Sequence, residues 1–134
     1  MSPKATAYLL ILRWAIAFVF LANGFTKLSD PSFGANADDF FRSLGDDVIF
    51  NPYKTVLKDM VIPNAFIFAS FVKYSELFLA AVFFFGWPLR LAVMLSTFLH
   101  LNYLCIASFP AFMYLNIIMI AAEWAVMTAF DKDA

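Results

Sequence analysis

Apolar residues run along this chain in long blocks that few ionisable side chains interrupt. Ala5 to Phe25 is broken only by Arg13, and Ile62 to Trp87 by Lys73 and Glu76. Leu89 to Phe109 has Arg90 at its start and His100 in its middle, and Ala111 to Phe130 contains Glu123. Each block reaches the roughly 20 residues that a helix needs to cross the hydrocarbon core of a bilayer. The pattern predicts an all-α fold, a bundle of four transmembrane helices over about residues 5–25, 62–87, 89–109 and 111–130, with both termini on one side.

The connections differ sharply in length. Gly86-Trp87-Pro88 and Ser108-Phe109-Pro110 are tight turns, which make the helices they join antiparallel neighbours. Residues 26–61, by contrast, form a polar segment with six aspartates, Pro31, Gly34, Gly45 and Pro52, and predict a small extramembrane cap between helices one and two. Within it, Ala37 to Leu44 reads as a short helix with Asp38 and Asp39 in its first turn and Gly45 as its stop. Asn51-Pro52 starts a second, Tyr53 to Met60, with Tyr53, Val56, Leu57 and Met60 on one face. Both are expected to lie along the bilayer surface over the mouth of the bundle. A folded linker without chemistry is the simpler reading of the same segment.

Composition agrees with the membrane as solvent. The 134 residues, one domain by size, are 63% hydrophobic and only 14% charged, too few polar groups to cover a water-facing surface. Nine basic against ten acidic residues leave a net charge of −1, without the basic footprint of a nucleic-acid binder. Cleavage of the first block as a signal peptide is not expected, because Arg13 splits it and no small-x-small site follows before Asn23 and Gly24. Cys105 and His100 are each the single residue of their kind. This chain by itself therefore closes no internal disulfide and holds no iron–sulfur cluster, structural zinc or bis-histidine haem, so neither a metal nor a cofactor is expected on its own ligands. Cys105, in an apolar run, is expected to be a buried, inert thiol.

The ionisable groups inside the spans change the picture most. Charges at membrane depth are costly and face the bundle interior or a cavity, which makes them functional candidates. Counted at about 1.5 Å per residue from the terminal-side ends, Arg13, Lys73, Glu76, His100 and Glu123 fall in one slab about 9–18 Å deep. Lys73 and Glu76 are three apart on one face. His100 shares a stripe with Ser96, Thr97 and Tyr103, Glu123 with Asn116, and Arg13 with Gly24 and Lys27. With His100 neutral, Arg13 and Lys73 balance Glu76 and Glu123. The simpler reading is a charge-balanced network that fixes helix register. The functional one is a pocket between the helices for a polar headgroup, with Glu76 and His100 as its titratable members.

Arg13, followed by Asn23-Gly24-Phe25-Thr26-Lys27-Leu28, resembles the Arg and the His-Gly-x-x-Lys-Leu segment that ends the first helix of DoxX-like proteins, with Asn23 in place of the histidine. Glu76-Leu77, then Gly86, then Arg90 resembles that family's Glu, Gly and Arg pattern. Arg13, Gly24, Lys27, Glu76 and Arg90 are the positions that carry over. The resemblance implies a four-helix protein of a prokaryotic cytoplasmic membrane with cytoplasmic termini. The positive charges alone set orientation weakly, Lys4, Arg90 and Lys132 on the terminal side standing against Lys27, Arg42, Lys54 and Lys58 in the cap. The family includes the small membrane subunit of an archaeal thiosulfate:quinone oxidoreductase and subunits of other oxidoreductase assemblies.

Two functions follow as expectations. One is an accessory subunit that packs against other membrane proteins in a larger complex, in the lipid bilayer, without catalysis of its own. The other is a quinone-interacting membrane subunit of an oxidoreductase of the DoxX/DoxD type. Its slot would be lined by some of the eighteen phenylalanines, and its carbonyl partners drawn from Arg13, Lys73, Glu76, His100 and Tyr103. Phenylalanine equally fills packing and lipid-facing positions in any membrane helix. A transporter or channel is disfavoured, since neither an inverted repeat nor an interrupted helix is visible.

Overall fold

The computed structural model describes residues 1–46, 48, 50–106 and 110–131, and among these every regular element is helical. The elements are α1 (Pro3–Ser29), α2 (Pro31–Ala35), α3 (Ala37–Asp46), α4 (Asn51–Val56), a π turn (Leu57–Val61) and a 3₁₀ turn (Ile62–Asn64). Then follow α5 (Ala65–Phe85), α6 (Leu89–Ile106) and α7 (Pro110–Phe130). The expected Ser108-Phe109 part of the last turn lies outside the described residues.

Helix α1 runs two residues earlier and four later than the apolar block. At its start the Ser2 hydroxyl accepts the Ala5 backbone N–H at 3.2 Å, and Pro3 follows as first helical residue. It stops at Asp30, whose Oδ1 accepts both the Ser32 backbone N–H at 2.9 Å and the Ser32 hydroxyl at 2.6 Å, starting α2. Those two bonds, the hydroxyl's first, hold the Asp30 carboxyl below its usual range. Lys27 therefore stands in the last turn of a membrane helix rather than in the cap.

The cap differs from expectation in three ways. It contains a third helix, α2. Gly45 does not stop α3, which continues to Asp46. The second expected cap helix is not separate from the second span, since helical turns run from Asn51 through Phe85. Pro63 explains the irregular stretch between them: it has no N–H to give Asp59, and its ring crowds that carbonyl. The chain widens to a π turn, with Ile62 N–H reaching Leu57, and re-forms as α5 after Asn64. The inward stripe is consequently Tyr53, half-buried, then Leu57, Val61, Ala65 and Ala69, all buried and every fourth residue, while Val56 and Met60 are exposed.

The four long helices form a closed ring in the order α1, α5, α6, α7, each packed on the next and α7 back on α1. The most extensive contact is α1 with α5, the pair joined by the longest connection. They lie antiparallel, Arg13 level with Phe84 and Gly24 level with Leu77. Gly24 is where they meet: a Cβ there would fall 2.9 Å from Leu77 Cγ and 3.2 Å from its backbone nitrogen. Ile16, Phe20, Leu79, Phe83, Val93 and Val126 fill the bundle centre. Phe33, Phe41, Leu57 and Val61 of the cap build a second small core on Ala65 and Ala69 of α5.

Outside the bundle, Tyr8, Phe18, Ile67, Phe85, Trp87 and Ile118 are all more than half exposed. Such side chains pack against acyl chains, not water. Three described segments, Pro3–Ser29, Asn51–Phe85 and Met113–Phe130, are long and apolar enough to cross a bilayer. The fourth helix, α6, has 18 residues, about 27 Å, slightly under the ~30 Å hydrocarbon thickness.

Candidate functional site

The intramembrane charges do not meet in one network. They form two clusters and two separate contacts. The first cluster lies toward the cap. The missing side chain of Gly24 brings α1 against α5, and Lys27, one turn further on, reaches inward to Glu76. Its Nζ donates to Oε2 at 2.7 Å, while the Tyr103 hydroxyl of α6 donates to Oε1 at 2.9 Å. The Glu76 side chain is 3% exposed and that of Lys27 25%, so this is a charge-assisted pair in low dielectric with one end open to the outside.

The second cluster lies deeper, between α6 and α7. Glu123 is fully buried. Its Oε2 accepts the Ser96 hydroxyl at 2.6 Å, and its Oε1 lies 2.9 Å from His100 Nε2. His100 Nδ1 in turn lies 2.8 Å from Asn116 Oδ1. With Glu123 as the carboxylate, two arrangements satisfy this geometry: an imidazolium donating at both nitrogens, or a neutral ring with the Asn116 amide turned over so that its NH₂ donates to Nδ1. Ser96 and His100 are one turn apart on α6, and Asn116 and Glu123 two turns apart on α7. Two helices thus interlock through four side chains, and Trp124 Nε1 donates to Thr97 Oγ1 at 3.0 Å on the same interface.

Tyr103 joins the clusters spatially. Its ring stands edge-on to that of His100 at 6.1 Å, and Phe20 covers the imidazole from α1 at 5.8 Å. The result is a polar file that starts at Lys27 near the cap, passes Glu76, Tyr103 and His100, and ends at Glu123 and Ser96. It can hold charge and move a proton locally through carboxylate and imidazole. Among the described residues, no three His, Cys, Asp or Glu side chains lie close enough to hold a metal ion.

Arg13 and Lys73 stand apart from this file, contrary to the expected convergence. Arg13 lies level with the end of α5, where its Nη2 donates to the Phe84 carbonyl at 3.4 Å and its guanidinium lies 4.9 Å over the Phe130 ring. A cation at a helix C-terminus answers both the unmet carbonyls and the negative end of the dipole. Gly86 makes this fit. It takes the left-handed conformation at φ 87°, and a Cβ there would come within 2.5 Å of Arg13 Nη1. We expect Gly86→Ala to lower stability by about 1–2 kcal/mol, chiefly from left-handed strain, since the guanidinium stands at the end of a flexible side chain and can move aside. The shift of the unfolding midpoint in SDS titration of the micelle-bound protein checks this, and an unchanged midpoint would refute it.

Lys73 shares a face with Glu76 as expected, but the cation that holds that carboxylate is Lys27. Lys73 Nζ lies 4.8 Å from the Tyr74 ring centre, and Tyr74 is exposed. Arg90 Nε lies 3.4 Å from Asp131 Oδ2, linking the start of α6 to the end of α7. Cys105 is half-buried rather than buried. In the sequence Lys27 stands out as a motif position and not as a member of the intramembrane network. The signal for its true place was available: a basic residue suits the last turn of a helix, and its long stem lets the ammonium reach past it.

The DoxX family model matches residues 8–112, most of the chain, including Arg13, Gly24, Lys27, Glu76, Gly86 and Arg90. The protein belongs to the DoxX family. No curated protein and no solved structure matches it. In this DoxX member the motif positions sort into three structural devices: Gly24, Lys27 and Glu76 make the cap-side ion pair, Arg13 with Gly86 closes the end of α5, and Arg90 ties the start of α6 to Asp131. The resulting protein is an apolar, multi-pass membrane protein.

Proposed function

We propose that this DoxX protein is an accessory subunit of a larger redox or energy-converting complex, in a prokaryotic cytoplasmic membrane with its termini on the cytoplasmic side. The observation that supports this most is the closure of its interior. Both buried carboxylates and both nitrogens of His100 are bonded to side chains of the same chain. Groups bonded to one another in this way fix helix register. The broad aromatic exterior is the surface offered to other membrane subunits.

Lys27 supports a second reading, in which the protein touches a quinone. Its ammonium is partly accessible from outside and backed by Glu76 and Tyr103, so a quinone carbonyl arriving from the lipid would find a charged donor there.

Purification from native membranes in mild detergent separates these readings from each other and from error. An accessory subunit co-purifies with other membrane proteins, and deleting it lowers the amount of assembled complex while the remainder keeps its specific activity. Recovery of the chain alone, with no complex affected by its deletion, would overturn the proposal. The quinone reading requires near-stoichiometric quinone in the same preparation, and lower turnover of the complex carrying Glu76→Gln.

A further inference from the structure

The cap carries a pocket that the intramembrane file does not use. It has a volume of ≈ 530 Å³ and lies between α3 and the turns leading into α5. Arg42 and Lys58 line it with a single acid, Asp38, so the lining carries one net positive charge. Asp38 and Arg42 are one helical turn apart on α3, the spacing of a helical ion pair, yet they do not pair. Among the described residues neither Arg42 nor Lys58 is engaged in an ion pair. Two cations thus face one cavity with their valences open.

The other wall is apolar: Ile62, Pro63 and Phe66. Phe66 is in the first turn of α5 and 67% exposed, so the pocket straddles the step from the polar cap to the apolar span. That is the level at which phospholipid headgroups lie. A guanidinium binds phosphate through two parallel N–H donors, and an ammonium adds a point charge. We infer that this pocket binds the phosphate of an anionic phospholipid, with Arg42 and Lys58 on the phosphate and Phe66 against the first part of the acyl chains. The inference is independent of any role in a redox complex.

Native mass spectrometry of the full chain in detergent, titrated with phosphatidylglycerol and separately with phosphatidylcholine, tests it. Phosphatidylglycerol should bind more tightly, and R42Q/K58Q should weaken its binding at least about tenfold, as loss of charge-assisted contacts implies. Asp38→Asn removes the opposing charge and should tighten binding. All three positions are exposed, so helicity and the SDS unfolding midpoint should stay at wild-type values and show that the variants are folded. Equal binding by wild type and R42Q/K58Q, or no preference between the two lipids, would overturn the site. Displacement of phosphatidylglycerol by millimolar inorganic phosphate would overturn the headgroup as its source and assign the pocket to a free phosphate.

Discussion

Lys27→Met is expected to lower the stability of the bundle by about 2–4 kcal/mol, because it leaves the Glu76 carboxylate buried without its cation. Neutral hydrogen bonds between membrane helices average well under that, about 1 kcal/mol. The magnitude therefore separates a charge left alone from a bond merely lost. The partial exposure of Lys27 keeps the estimate below the largest values for fully buried pairs. The double variant K27M/E76Q should recover most of the loss, since glutamine brings no charge and its oxygen still accepts from Tyr103. SDS titration monitored by helicity gives all three numbers of the cycle. A change below about 0.5 kcal/mol for Lys27→Met, the range of ordinary surface substitutions, would mean that the pair contributes nothing to the fold.

The larger effect is expected at Glu123. Replacing it with alanine removes the acceptor of Ser96 and the partner of His100 Nε2, and opens a cavity where no solvent enters. Cavity formation and stranded polar groups together amount to about 3–5 kcal/mol. Glu123→Gln keeps the volume, an oxygen for Ser96 and an NH₂ that can donate to a neutral imidazole, so its cost should be near 1 kcal/mol. If glutamine proves as harmful as alanine, the charge rather than the shape is what α6 and α7 require, and His100 is held as the imidazolium. Nitrogen NMR shifts of the single histidine read its protonation in wild type and variant directly.

The two predictions share a cause that the sequence shows only in part. Periodicity put Ser96, His100 and Tyr103 on one stripe of α6, and Asn116 with Glu123 on one stripe of α7, and these stripes do meet. Helical phase is local, so residues four and seven apart share a face whatever the tertiary structure does. It does not say which neighbour a stripe will face. Lys73 has the same spacing to Glu76 that a partner needs, but the carboxylate accepts from Lys27 on another helix. The cap shows the same division. Its helical character was legible from Asn51-Pro52 and from the acids of α3, whereas the fusion of its last turns with α5 depends on how the backbone accommodates Pro63.

The sequence by itself determined the solvent, the helical class, the ends joined by short turns and the polar residues that must be satisfied inside. Each of these follows from composition, block length or helical phase, which need no long-range information. The tertiary structure decided which charges became partners. The most extensive helix pair, α1 with α5, is joined by the longest connection, and its closeness rests on Gly24 meeting Leu77. A long connection leaves relative shift and rotation of two helices open. One contact without a Cβ fixes both, and with them the distance from Lys27 to Glu76.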